Sequence, residues 1–268
     1  MQSATILGIK ITTSREDEIL EYITKSLEKN IKKYYIVTPN PEILVRAAHD
    51  PEFKKILNEA TIALPDGIGI VVAAKLLGLP IYRRITGVDV MEKLCQRLSK
   101  RTENTGFLGG EVGIAQQTAD CLRKKYPGLK VGSIGGEWSY KIGPENKDLK
   151  FKKNSLENKE TINQKPLIKN NVDVLFVAYG APKQEQWISE NLDKLPVKVA
   201  MGVGGAFDYI SGNIPRAPKF IQNLGLEWLF RLIIQPWRWK RQLALLEFGY
   251  LVIKEVFKTR FKASTVGV

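Results

Sequence analysis

Two rhythms of apolar residues alternate along the chain. Short continuous or alternating runs suit strands, and stretches with an apolar residue every three to four positions suit helices. Residues 5–11 read as a first strand. Ser14 followed by Asp17 resembles a capping box, opening a helical pattern that runs to about Lys29. Residues 34–38 read as a second strand, with adjacent apolar residues as a strand buried on both faces requires. That run stops at Pro39-Asn40-Pro41, where Pro41 suits the first turn of a following helix. Helical spacing continues to about Ala60, and residues 61–64 form a short strand ended by Pro65-Asp66-Gly67. Residues 68–77 and 88–101 then read as helices. The second half repeats the alternation. Phe107-Leu108 runs into Gly109-Gly110 ahead of a helix near residues 112–126, and residues 131–134 run into Gly135-Gly136. Residues 174–178 run into Gly180-Ala181-Pro182 ahead of a helix from about Lys183, and residues 199–203 run into Gly204-Gly205. Strands alternating with helices predict an α/β, Rossmann-like fold: a mostly parallel sheet with helices on both faces.

Two regions break the rhythm. Residues 138–164 are rich in lysine and asparagine and poor in apolar residues, which reads as a surface insertion. From Leu224 onward, tryptophans and phenylalanines mix with Leu, Ile, Val and regularly placed Arg and Lys, and Pro236 separates two helical stretches. The expected division is a Rossmann-like domain over residues 1–212 and a basic, aromatic helical appendage over 213–268 that associates with a membrane surface.

Charge sharpens the picture. The 268 residues carry 41 Lys and Arg against 28 Asp and Glu, a formal net charge of +13. Such an excess suits an anionic partner. Ten basic and three acidic residues lie from Asn213 onward, so the imbalance is strongest in the tail. Basic residues in an aromatic, apolar tail fit a membrane interface better than a nucleic-acid groove, so no nucleic-acid partner is expected. Packing against a second copy of the chain, a homo-oligomer in the absence of membrane, is the alternative to the membrane reading, and the sequence leaves the oligomeric state open. No run of about 18 uncharged apolar residues exists, and the N-terminus lacks the pattern of a signal peptide. With Cys95 and Cys121 far apart and a single histidine, His49, neither a metal site nor a disulfide framework is expected.

Open parallel sheets bind ligands outside the carboxyl ends of their strands. Several expected strands here end in glycine turns, where backbone N–H groups and helix N-termini can approach a diphosphate. Gly109, Gly180, Gly204 and Gly205 are candidates for that role, although the full dinucleotide fingerprint is absent. This absence argues against a nicotinamide oxidoreductase. Asp66, at a strand end, could take a proton from an acceptor hydroxyl, or could simply make an Asp-Gly turn. Thr38 and Asn40 could hydrogen-bond a sugar, or end the strand and cap the helix. Gln184 and Glu185 open a helix, where a glutamate is favoured by the dipole alone. Asp208 could meet a ribose or base, or cap a turn. The tail arginines could grip a diphosphate bidentately or lie on a solvated face.

Six ordered segments carry a family resemblance: TPNPEILVRAAHDPEF, ALPDGIGIV, RRITGVDVMEKL, FLGG, GAPKQEQWI and GVGGAFDYISGNIPRAPKFIQNLGLEWLFRL. Together they resemble the WecG/TagA/CpsF glycosyltransferases over residues 34–241. The resemblance implies an inverting, metal-independent transfer with no cofactor. The donor would be a UDP-sugar, N-acetylmannosamine or alternatively its uronic acid or another hexose. The acceptor would be an undecaprenyl-diphosphate-linked sugar, and the products are cell-surface polymers, teichoic acid among them, with a β-1,4 linkage to N-acetylglucosamine in that branch. It also implies residue roles: Asp66 as general base; Thr38, Asn40 and Gln184 in the sugar pocket; Gly204, Gly205 and Asp208 at the nucleotide end. Arg231, Arg238 and Arg241 would close over the diphosphate. Gln235 stands where relatives often carry an acidic residue. The expected location is peripheral, on the cytoplasmic face of the cell membrane. A non-catalytic membrane scaffold is the remaining alternative, against which the intact PDG, TPN and APKQE segments argue.

Overall fold

A computed structural model describes residues 1–29, 32–135 and 171–265, so the insertion expected at 138–164 lies outside the described residues. The chain opens with β1 (Ser3–Ile6) and β2 (Ile9–Thr12), an antiparallel hairpin where one continuous strand is expected from the pattern. Its two-residue turn places both Leu7 (φ 51°) and Gly8 (φ 77°) in the left-handed region, the conformation that matches the twist of paired strands. Leucine seldom adopts it, so the turn leaves little trace in the sequence. Then follows α1 (Glu16–Glu28). Its cap also differs from the Ser14/Asp17 expectation: Glu18 reaches back to accept from the Arg15 N–H at 3.0 Å.

The order continues with β3 (Tyr34–Val37), α2 (Pro41–His49), α3 (Pro51–Glu59), β4 (Ile62–Ala63), α4 (Ile68–Leu77), α5 (Gly87–Leu98), β5 (Asn104–Gly109), α6 (Ile114–Lys125) and β6 (Lys130–Gly135). After the undescribed stretch come β7 (Val174–Ala178), α7 (Lys183–Asn191), β8 (Val199–Gly202), α8 (Ala206–Ser211), α9 (Lys219–Asn223), α10 (Glu227–Ile234) and α11 (Trp239–Thr265). A short 3-10 turn over Pro236–Arg238 separates the last two helices, at the proline that divides the tail's pattern. The six strands β4-β3-β8-β7-β5-β6 form one parallel sheet. The Rossmann-like α/β expectation is therefore the observed fold.

Each face of the sheet buries its own apolar layer. Phe107 and Phe176 pack against Ile23 of α1, Met91 of α5, Leu122 of α6 and Phe207 of α8. Leu175 and Val177 pack on the other side against Leu44 of α2, Phe53 of α3, Ile70 of α4 and Ile188 of α7. Helix α2 follows β3 on one face and α8 follows β8 on the other, although β3 and β8 are neighbours. That divergence opens a crevice between their carboxyl ends, the position where parallel sheets bind ligands.

The tail folds back onto the second face. Phe248 and Val252 of α11 are buried there among residues of α2 and α4. Glu255 accepts the Leu7 N–H at 2.9 Å, and His49 Nε2 meets Glu247 at 2.5 Å. On its outer side, Leu243, Leu246, Tyr250, Ile253 and Phe257 remain exposed at spacings of three and four, a single apolar stripe. Among the described residues no helix is long and apolar enough to cross a membrane.

Candidate active site

The carboxyl ends of β3, β7 and β8, the loop after β4 and the start of the tail enclose a cleft of about 910 Å³. Thr38 leaves β3 and donates its hydroxyl to the Gly202 carbonyl at 3.3 Å. Close packing explains a glycine nearby: a Cβ at Gly87 would stand 2.9 Å from Thr38 Cγ2. Asn40 caps α2, its Oδ1 accepting from Ile43 N at 3.0 Å. Thr38, which ends the strand, and Asn40, which begins the helix, both line the cleft from this one connection.

Asp66 faces them from the loop after β4, its N–H donating to Pro39 O at 3.1 Å. Burial pushes its carboxyl up to about 7, and the Glu227 carboxylate adds to this. Arg84 and the Gly87 N–H act in the opposite sense. A carboxylate poised near neutral pH suits proton abstraction. The groups that tune it form one ion-pair network. Glu227 accepts from Arg84 and from Arg216, each at 3.0 Å, and Arg216 grips Asp89 at 2.8 and 3.1 Å. Thr86 donates to Asp89 at 2.6 Å and caps α5. Arg84, Asp89, Arg216 and Glu227 lie inside the family-like segments, but their 143-residue separation at its widest (Arg84 to Glu227) hides the pairing from sequence.

At the opposite wall, Gln184 Oε1 accepts two backbone N–H groups, from Gly180 at 3.1 Å and from Gly204 at 3.0 Å. Its Nε2 donates to Glu185 Oε1 at 2.8 Å. Gln184 is only 1% exposed and Glu185 is fully buried. Gly205 and Asp208 line the same end, and Asp208 accepts from Asn213 Nδ2 at 3.2 Å. Gly109 does not line the cleft. It packs on Tyr179, whose ring a Cβ there would meet at 2.8 Å, and Gly110 reaches the cleft instead.

The tail supplies the cationic roof. Arg231 lies over the Tyr209 ring, 5.1 Å from its centroid, and over Gly205, where a Cβ would stand 2.6 Å from a guanidinium nitrogen. Gln235 Oε1 accepts from Arg231 at 3.3 Å and from Arg238 at 3.4 Å. Neither arginine has an acidic ion-pair partner among the described residues, whereas Arg241 pairs with Glu42 at 2.7 Å. Burial and the neighbouring Arg231 and Arg241 lower the pKa of Arg238 to about 10. It remains protonated at neutral pH, so two cations face the cleft with one amide oxygen as their shared hydrogen-bond acceptor, while the Glu42 carboxylate acts on Arg238 through space. Such a site suits an anion. Tyr209, which the motif reading leaves unassigned, forms the platform for this roof.

A second cavity of about 380 Å³ shares Asp66, Arg231, Arg238 and Arg241 with the first and opens between α4, α10 and α11, past Ile68, Trp228, Leu245 and Phe248. One end of the combined space is thus polar and glycine-lined, and the other runs from the charged residues around Asp66 to apolar side chains of α4, α10 and α11.

Comparison with known proteins agrees with the motifs. The model of the Glycosyl transferase WecG/TagA/CpsF family matches residues 4–262. The chain is 31% identical over 255 residues to the N-acetylglucosaminyldiphosphoundecaprenol N-acetyl-beta-D-mannosaminyltransferase of Bacillus subtilis (strain 168), covering 95% of this chain and 93% of the relative. Identity to the protein of the same name from Bacillus spizizenii (strain ATCC 23059 / NRRL B-14472 / W23) is 32%, over 95% of this chain and 92% of the relative. For that of Staphylococcus aureus (strain MRSA252) it is 31%, over 88% and 85%. A family match across nearly all of the chain, with relatives of this identity covered almost end to end, fixes its membership: this chain belongs to the WecG/TagA/CpsF family and is a glycosyltransferase.

Proposed function

We propose that the chain transfers N-acetylmannosamine from a UDP donor to N-acetylglucosamine on undecaprenyl diphosphate, by a single inverting displacement at the cytoplasmic face of the membrane. The sugar and the acceptor are those in the names of the relatives. The observation that carries the reading is the position of Asp66 in the wall shared by a polar and an apolar cavity, beneath two guanidiniums without acidic partners. The acceptor hydroxyl loses its proton to Asp66, and its oxygen bonds to the anomeric carbon. The bond from that carbon to the diphosphate oxygen breaks, and UDP leaves with the electron pair. Arg231 and Arg238 stabilise the charge developing on the diphosphate. The site needs no metal ion in this scheme, because the guanidiniums supply the positive charge. The acceptor's diphosphate and lipid occupy the apolar side, continuous with the outer stripe of α11, which rests on the membrane surface. Residues 1–212 act as the catalytic body and 213–268 as its membrane-associating appendage. Teichoic-acid-type polymer synthesis is the corresponding biological role.

The test is a donor screen. Protein is incubated with a short-lipid diphosphate-linked N-acetylglucosamine and a panel of UDP-sugars, with UDP release and product mass both read. The reading expects a disaccharide from UDP-N-acetylmannosamine. A product only from its uronic acid or from another hexose reassigns the donor, and no product from any donor, with or without anionic vesicles, rejects the proposal.

A further inference from the structure

We propose that Glu185 is a positioning residue: it locks the Gln184 side-chain amide in the one orientation that ties the β7 and β8 loops together. This deepens the donor-site reading above and rests on it.

The two ends of a glutamine amide are nearly the same shape, and only their hydrogen bonds distinguish them. Here the surroundings leave no choice. On one side stand two donors, the N–H groups of Gly180 and Gly204, both within 3.1 Å of Oε1. On the other stands the Glu185 carboxylate, which accepts the Nε2–H at 2.8 Å. Burial pushes the Glu185 carboxyl up to about 7, but the two N–H donors decide the orientation: a flipped amide would set NH₂ against both of them. The fold makes room for the correct orientation: a Cβ at Gly202 would stand 2.9 Å from Gln184 Nε2, so a glycine at the end of β8 lets the amide lie across it. Gly180 (φ 74°) and Gly204 (φ 52°) both adopt the left-handed backbone in the loops that the amide joins.

The placement of the carboxyl is otherwise hard to explain. Glu185 is fully buried, and its second oxygen has no hydrogen-bond partner among the described residues. An unpaired buried polar atom is unfavourable, and an apolar side chain would fill the space without that penalty. What an apolar side chain cannot do is fix the amide. The consequence reaches the arginine roof, because Gly205, next to the clamped Gly204, is the surface on which the Arg231 guanidinium lies. Gln184, with 1% exposure, therefore serves the cleft through the loops it holds more than through contact with the sugar.

Four full-length variants test this: Glu185→Leu, Glu185→Gln, Gln184→Glu and the exchanged pair Gln184→Glu/Glu185→Gln. Each is read by UDP affinity, by the donor KM against kcat, and by amide hydrogen exchange at Gly180 and Gly204. Glu185→Gln keeps an acceptor facing the amide and stays within about twofold of wild type. Glu185→Leu frees the amide and Gln184→Glu sets a second carboxyl group against Glu185; both speed exchange at the two glycines and weaken UDP binding about tenfold. The exchanged pair restores both, because its amide now donates from position 185 to a carboxylate that holds the two loops. Wild-type exchange and affinity in Glu185→Leu, or an exchanged pair no better than Gln184→Glu, overturns the proposal. A wild-type protein that binds no UDP refutes the donor reading separately, and the exchange data still decide the clamp.

Discussion

The sheet rim and the tail build the same cleft by opposite means. At the rim the polar side chains are already engaged: Thr38 on Gly202, Asn40 on Ile43, Gln184 on Gly180 and Gly204. In the tail, Arg231 and Arg238 share one neutral oxygen. Internally satisfied groups hold a shape, and cations without acidic partners in a partly desolvated cleft stand ready to stabilise negative charge as it develops. The difference teaches a division of labour, with the rim providing form and the tail providing charge. Asp66 lies at their meeting point, and the Arg84–Glu227–Arg216 network ties the two regions together beside it.

The largest expected effect is at that point. Asp66→Asn keeps the shape and removes the base, and transfer should fall by about 10² to 10⁴, measured as turnover with saturating substrates. Next is the tail's charge. Arg238→Ala should lower kcat by about 10² to 10³ while donor affinity changes little, whereas Arg241→Ala should lose less because Glu42 already occupies that guanidinium. Equal losses at the two arginines would erase the distinction drawn between them. Smaller again is the outer stripe. Leu246→Ser on the exposed side of α11 should leave the melting temperature unchanged and weaken binding to anionic vesicles about tenfold in a sedimentation assay. The subtlest effect is on pH. Asp66 must be ionised to accept a proton, and a negative neighbour resists that ionisation. Glu227→Gln removes the neighbour, so the rising limb of the rate should move to lower pH, and a limb that stays in place would detach the network from the base.

Local signals made the rim legible and left the network hidden. Four adjacent apolar residues from Tyr34 to Val37 announce a strand buried on both faces, and all four are buried. Pro41, Gly78 and Pro236 punctuate helices where helix chemistry says they should. The Leu7-Gly8 turn was obscure because a leucine occupies a left-handed position. Gln184 stands out in its motif, yet its work depends on Gly204, twenty residues away on another loop, and on near-complete burial that no motif displays. Arg84 and Arg216 look like ordinary surface charges until the fold brings both to Glu227.

The most direct test of the account is the pH dependence of single-turnover transfer, for wild type and Asp66→Asn, from pH 5 to 9 with chelator present throughout. The account predicts a wild-type rate that climbs about tenfold per pH unit, levels above about 7 and is indifferent to the chelator, with a slow and flat profile for the variant. An Asp66→Asn protein that keeps the wild-type rate and the same rising limb would contradict it.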